Sequence, residues 1–492
     1  MTPQNLLILL SDEHNPKVMG CAGHPDVHTP HLDALAARGT RLTRAYCASP
    51  ICVPARAAMM TGRPVYETGY WDNVDAWDGV VPGWSHRLRA AGYEVSSVGK
   101  LHFRGWQGDD YGFTETLLPM HIHEGRGMTR MLLRDPPLPP GSGAGMLSSA
   151  KAGYSDYNRY DENIVATAKA WLAERGADPA RRSSKPWVLM VSMVAPHFPL
   201  TVPEPFFSRY ASRPLPMPKD YVFGIHAGMH PFIQDYARQS SYNLPFKNDA
   251  DVRRALAGYY GLVTFLDHQV GELLRTLDET GLAGDTRVVY LSDHGDNTGA
   301  RGLWGKSTMY DESAGVPLII AGQGVPQGQI VSTPCSHLDL YATVLDAVGL
   351  REEPTLDAQV GGHSVSWFAM PQAADPSRIV LSEYHTVGSK AALFMLTDSR
   401  YKYIHYCGLQ PQLFDLQKDP EERDDLLAQA AIGAEAVAVA ERFEAALRAR
   451  MDPDEVDRRA KTRQAELIEL FGGLEAVKAN TGAGGFTPVP IG

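Results

Sequence analysis

The stretch Asn5-Leu6-Leu7-Ile8-Leu9-Leu10-Ser11 decides the architecture of this chain. It is a continuous apolar run of strand length with no polar alternation, as expected of a strand buried on both faces of a parallel sheet. Asp12 and Glu13 follow at its C-terminal end. Working outward, residues 93–98, 187–194 and 287–292 also read as buried strands, and each hands over directly to residues that carry chemistry: Gly99-Lys100-Leu101-His102, Ala195-Pro196-His197 and Asp293-His294-Gly295. Helical patterns lie between them, at 30–38 with Thr29 ahead and Gly39 behind, and at 84–91, 163–175 and 251–280. A further strand at 316–321 and a helix over 337–348 continue the alternation. The expected fold is therefore α/β, a large mixed, mostly parallel sheet flanked by helices.

After about residue 370 the texture changes. Residues 379–384, 391–397 and 402–406 read as short antiparallel strands, followed by helices around 434–450 and 454–470 and a Gly/Pro-rich tail from Gly472. We expect a main catalytic domain over 1–370 and a smaller α+β C-terminal subdomain over 371–492 whose short sheet is antiparallel. An extended tail with no core of its own needs another surface to order it, so a homo-oligomer in which the tail reaches a neighbouring subunit is expected. Residues 104–152 lose periodicity, with the Pro/Gly stretch 136–145 as a loop, and 200–248, rich in proline and aromatics, read as excursions over one end of the sheet.

Composition narrows the function classes. At 492 residues the chain can bury a large core, and 44% hydrophobic with 21% charged residues is that of a globular protein. A net charge of −11 leaves no basic excess to neutralise phosphates, which argues against nucleic acid as a partner. Five scattered cysteines, Cys21, Cys47, Cys52, Cys335 and Cys407, suit no disulfide framework and point to a reducing, cytoplasmic setting. No run is long enough to span a membrane, and the apolar start lacks a basic n-region, so it reads as a strand and not a signal peptide.

The chemistry centres on Cys52-Val53-Pro54-Ala55-Arg56, where Pro54 can open a helix over 55–61 and Gly62 can close it. A cysteine at a helix N-terminus, with Arg56 one turn in, suits an anion and an activated nucleophile; taken alone, a buried inert thiol is the commoner reading. The strand ends decide between them. In an open α/β sheet ligands bind at the carboxyl edge, and Asp12, Lys100, His102, His197, Asp293 and His294 all fall there. Asp12, Asp293 and His294 suit one divalent ion, Ca²⁺ or Mn²⁺, while Lys100, His102, His197 and Lys306 add donors and proton-transfer groups.

Cys52-x-Pro54-x-Arg56 with Ala-Ala-Met-Met-Thr-Gly62, Gly99-Lys100-Leu101-His102, Ala195-Pro196-His197, Ser292-Asp293-His294-Gly295-Asp296 and Arg301-Gly-Leu-Trp-Gly-Lys306 together resemble, in order, the motifs of the type I sulfatases of the alkaline phosphatase superfamily. Leu413-Phe-Asp-Leu-Gln-Lys-Asp-Pro-Glu421 resembles that family's smaller domain. The resemblance implies that Cys52 is converted to formylglycine by a maturation enzyme, and that the aldehyde hydrate, bound to the metal, attacks sulfur. Its second hydroxyl then re-forms the aldehyde as sulfate leaves. It further implies that Asp12, Cys52, Asp293 and His294 bind the metal and that Arg56 holds the hydrate. Lys100 and Lys306 would grip the sulfate, His102 would act as base, and His197 would act as acid, a role shared with Lys306. Asn73 matches a substrate contact of the choline-sulfatase and phosphonate-monoesterase branches.

Two departures move the chain toward those branches. Glu13 stands where many sulfatases carry a second Asp, which puts its role as a ligand in question, and His294 stands where they carry Asn, which favours Mn²⁺ over Ca²⁺. The reading is hydrolysis of aryl or small alkyl sulfate monoesters. A phosphonate monoester or phosphodiester hydrolase with the same nucleophile is the alternative, and an unmodified binding protein is the alternative of another class.

Overall fold

The computed structural model describes residues 3–134, 147, 150–178, 185–226, 228–240, 242, 245–370, 375–429, 431–480 and 487–490. The stretch 136–145 and much of the tail, 481–486 and 491–492, lie outside the described residues. The strands that organise the molecule are β1 (Asn5–Asp12), β2 (Gly39–Leu42), β3 (Glu94–Lys100), β4 (Glu115–Met120), β5 (Trp187–Pro196), β6 (Thr286–Ser292), β7 (Leu318–Ala321) and β8 (Gln329–Val331). They form one sheet in the order β8-β2-β7-β6-β1-β5-β3-β4. Every pairing is parallel except the two made by β7, so one strand runs against the rest.

The run that opens the sequence is the centre of this sheet. Leu6 to Leu10 are at most 3% exposed, because β1 has a strand on each side and a helical layer on each face. Successive side chains of a strand point to opposite faces. Leu7 and Leu9 pack with helices α1 (Pro30–Ala37), α3 (Asp156–Ala177) and α4 (Asp249–Glu279), whereas Leu6, Ile8 and Leu10 pack with α2 (Cys52–Thr61) and α5 (Asp339–Val348). This three-layer arrangement is the α/β fold expected.

Register places the site. Ser11 of β1 pairs with Ser292 of β6, Leu10 pairs with Ser192 of β5, and Ser192 pairs with Gly99 of β3. The strands therefore end in one row, and Asp293, Asp12 and Lys100 leave the sheet side by side. Helix α2 starts earlier than expected. Cys52, and not Pro54, is its first residue, with extended Ile51 as its cap; Pro54 falls in the first turn, where a missing N–H is not needed. Gly62 ends the helix at φ 66°, and a Cβ there would lie 2.8 Å from Tyr341 Cβ.

Strands β9 (Val380–Tyr384), β10 (Leu393–Thr397), β11 (Tyr401–Tyr406) and β12 (Gln412–Asp415) form the small antiparallel sheet, backed by helices α6 (Ala434–Arg448) and α7 (Pro453–Leu470). Its edge reaches the main layers, since Glu383 N–H donates to the Ala48 carbonyl at 2.9 Å, four residues before Cys52. In the described part of the tail, the Thr487 carbonyl accepts from Tyr157 Oη of this same chain at 2.9 Å.

Candidate active site

Each element delivers one group to the same point. Cys52 Sγ lies 3.2 Å from His294 Nε2, 3.5 Å from Lys306 Nζ and 3.9 Å from Asp12 Oδ1. His294 Nε2 is 3.6 Å from Asp293 Oδ1 and 3.8 Å from Asp12 Oδ1. His294 Nδ1 faces the Gly295 carbonyl at 3.0 Å, and a carbonyl can only accept, so Nδ1 carries the proton and Nε2 turns its lone pair inward. Ligand atoms of Asp12, Cys52, Asp293 and His294 all fall within 4.8 Å of one another. Two carboxylates, one imidazole and residue 52 form a donor set that fits one divalent ion.

Arg56 is locked behind this group at 2% exposure. Its Nε donates to Asp293 Oδ2 at 2.8 Å, Nη2 to Asp12 Oδ2 at 3.2 Å, and Nη1 to the Lys100 carbonyl at 2.7 Å and Ser192 Oγ at 3.0 Å. These contacts orient the two carboxylates, a role additional to the one the resemblance implies for Arg56. Lys100 Nζ pairs with Asp12 Oδ2. Burial works against the Asp12 charge, but Lys100, with Arg56 and Lys306, holds its carboxyl well below the usual range.

The thiol itself is not activated. Burial, with Asp12 adding to it, pushes Cys52 up to about 12, so desolvation outweighs the helix N-terminus and the nearby lysines. Lys306 shows the opposite balance: burial disfavours its charge, yet Cys52, Glu13 and Asp12 hold it well above the ordinary lysine range. Burial, reinforced by Lys100 and Arg56, keeps His102 well below the usual histidine value and therefore neutral. Among the described residues neither His102 ring nitrogen, both buried, has a hydrogen-bond partner, and the backbone φ there is 54°. An imidazole held in this way has a donor and an acceptor to offer, and a bound ligand can meet them.

His197 Nδ1 lies 2.7 Å from the Phe198 carbonyl and Nε2 3.3 Å from Glu13 Oε2; burial and then Lys306 keep the ring neutral. Asn73 Oδ1 accepts the Val53 N–H at 3.0 Å, so its side chain caps a free donor in the first turn of α2, next to position 52. All the residues singled out from the sequence thus sit at one edge, with Asn73 in contact through its cap.

Sequence reasoning missed the supports. Ser192, whose hydroxyl accepts from Arg56, was visible only as a lone serine inside an apolar run. His337 links the Ala48 N–H, 3.3 Å from its Nδ1, to the Ser292 carbonyl, 2.9 Å from its Nε2, and so ties the Cys52 segment to the strand that carries Asp293. Only tertiary structure brings those partners together.

Comparison with known proteins agrees with this geometry. The sulfatase family profile matches residues 4–350, and that of the N-sulphoglucosamine sulphohydrolase C-terminal region matches 299–449. The choline-sulfatase of Rhizobium meliloti (strain 1021) is 32% identical over 436 residues, which span 86% of this chain and 82% of that protein. Arylsulfatase K of Xenopus laevis is 28% identical over 446 residues, covering 86% and 79%. Among solved structures, the phosphonate monoester hydrolase of Agrobacterium radiobacter shares the fold with a TM-score of 0.70 at 24% identity, covering 91% of this chain and 96% of that one. A nucleophile position among metal-type ligands, a ring of cations for an anion and a family match over most of the chain converge on one statement: the chain belongs to the sulfatase family of sulfuric ester hydrolases.

Proposed function

We propose that the chain hydrolyses small aryl or alkyl sulfate monoesters at a centre where Cys52 has become formylglycine and where Asp12, Asp293, His294 and residue 52 hold one divalent ion, Mn²⁺ or Ca²⁺. The observation that carries this reading is the convergence of those four ligand groups within 4.8 Å under the cations Arg56, Lys100 and Lys306. Held by Asp12, Asp293, His294 and residue 52, the ion would acidify a hydroxyl of the aldehyde hydrate. Lys100 and Lys306 stabilise the sulfate charge as it develops. His102, neutral and short of partners, takes the proton when the aldehyde re-forms, and Lys306, charged and beside His197, stands ready to protonate the departing oxygen.

Cys52 is 2% exposed, so a formylglycine-generating or equivalent maturation enzyme has to reach it before the chain closes over it. Five unpaired cysteines support a reducing, cytoplasmic setting, and among the described residues no helix is long and apolar enough to cross a membrane. The proposal includes no nucleic-acid partner, a catalytic unit over 1–370 with a C-terminal subdomain over 371–492, Asn73 beside the substrate, and a homo-oligomer.

Two measurements test it. The mass of the Cys52 peptide, from a host that carries a maturation enzyme, should show an aldehyde; a thiol throughout, with no metal bound, would favour a non-catalytic binding protein. The ratio of kcat/KM for an aryl sulfate to that for a matched phosphonate monoester should favour the sulfate. A large phosphonate preference would overturn the substrate assignment while leaving the centre intact.

A further inference from the structure

Glu13 follows the first metal-type ligand directly, yet its side chain leaves that group. Its carbonyl accepts from Tyr259 Oη at 2.7 Å and its N–H donates to Asp293 Oδ1 at 3.2 Å, at a backbone φ of 69°. A non-glycine residue in the left-handed region is held there by its surroundings. This turn sends the carboxylate, fully buried, toward Lys306 Nζ at 3.0 Å and His197 Nε2 at 3.3 Å. Glu13 is not one of the four residues whose ligand atoms converge with Cys52 Sγ. A carboxylate oxygen of Glu13 does fall within 4.8 Å of Asp12 and His197 ligand atoms, but a resident cation, the Lys306 ammonium, already sits against Glu13.

Resting on the function proposed above, we infer that Glu13 is a positioning residue for the leaving-group side of the site and not a metal ligand. One carboxylate oxygen, Oε2, contacts both Lys306 and His197, the two groups placed to meet the ester oxygen as the S–O bond breaks. Fixing the Lys306 ammonium and the imidazole beside it from one rigid point matters most where the departing alkoxide is basic and needs a proton in the transition state. It matters little where the leaving group is already a good anion.

The test compares the intact protein with Glu13→Gln, which keeps shape and a hydrogen-bonding oxygen, and with Glu13→Ala. Both are assayed on aryl sulfates of graded phenol pKa and on an alkyl sulfate, and Mn²⁺ binding is titrated directly by calorimetry. We expect Mn²⁺ affinity within about threefold of the parent, whereas losing a direct ligand costs more than the roughly 10–100-fold lost with a partner that only supports a ligand. We expect kcat/KM to fall by about 100-fold on the alkyl sulfate and by about threefold on 4-nitrophenyl sulfate in Glu13→Ala, with Glu13→Gln between the two. Metal affinity lost in both variants would make Glu13 a ligand and overturn the inference, and an equal loss across the leaving-group series would reduce it to a structural residue. If the parent itself turns over no sulfate ester, the function fails while the metal titration still decides whether Glu13 is a ligand.

Discussion

Two buried clusters of charge in this molecule resemble each other in composition and differ in how they are closed. One joins the main layers to the small sheet. There Lys402 Nζ, fully buried, meets Asp311 and lies 2.6 Å from Glu422, while Glu312 receives Lys17 at 3.0 Å and Arg301 at 3.1 Å. Lys219 bridges Glu312 and Glu421, its distance to Glu421 being 2.7 Å. Charges neutralise each other there with no centre left over. The other cluster surrounds Cys52. Its ions are also paired, but they surround a thiol, a set of converging ligand atoms and a histidine, His102, whose two nitrogens have no partner among the described residues. A paired network that closes on itself holds elements together, and one arranged around converging ligand atoms is suited to hold an ion and an anion.

Four experiments break or sharpen that contrast. Cys52→Ala removes the group at the centre without leaving a charge unpaired, so we expect turnover of a sulfate ester to fall by about 10⁴-fold or more while the melting temperature moves by about 2 °C or less. A large loss of stability there would mean that the active-site cluster is itself structural. Lys402→Met leaves Asp311 and Glu422 buried against an uncharged chain. Denaturant unfolding should show a loss of about 3–5 kcal/mol, with kcat/KM of the folded fraction within about threefold.

His337 stands between the two cases, a neutral link behind the metal-type ligands. Burial lowers it from 6.5 to about 4. Since its folded value lies below its unfolded one, the stability it confers is present above pH 6.5 and is lost as pH falls toward 4, by on the order of 3 kcal/mol. Melting curves across that window should be steep for the parent and flatter for His337→Asn; equal slopes would remove His337 as the source. The smallest effect belongs at the surface, where Arg463 Nε meets Asp75 at 2.7 Å with both groups partly in solvent. Arg463→Ala should cost about 0.5 kcal/mol by denaturant unfolding, and less in high salt.

How much of this was legible beforehand differs from element to element. The strands ending at Asp12, Lys100, Pro196 and Ser292 were legible because burial on both faces leaves an apolar run that nothing else explains. Strands β2 and β8 and the edge strand β4 were not, since they are short or partly exposed and exist only through long-range pairing. The helix Pro231–Ser240, which buries Phe232, Ile233 and Tyr236, was hidden in a stretch rich in proline and aromatics. Among site residues, types and order were readable, but partners were not. Arg56 could be assigned to an anion, and only the fold shows it spending its donors on Asp293, Asp12, Ser192 and the Lys100 carbonyl.

The Asn5–Ser11 run and the motifs after it determined by themselves the fold class, the edge of the sheet that carries the chemistry and the family to which the chain belongs, because each is written in local pattern and spacing. Tertiary structure alone decided three other things. It set the state of the Cys52 thiol, which burial raises against the pull of its helix end. It set the start of α2 at Cys52. And it set the direction of Glu13, which a backbone turn aims at Lys306 and His197 and away from the other ligands. Desolvation and convergence depend on residues up to nearly 300 positions apart, and no local pattern records them.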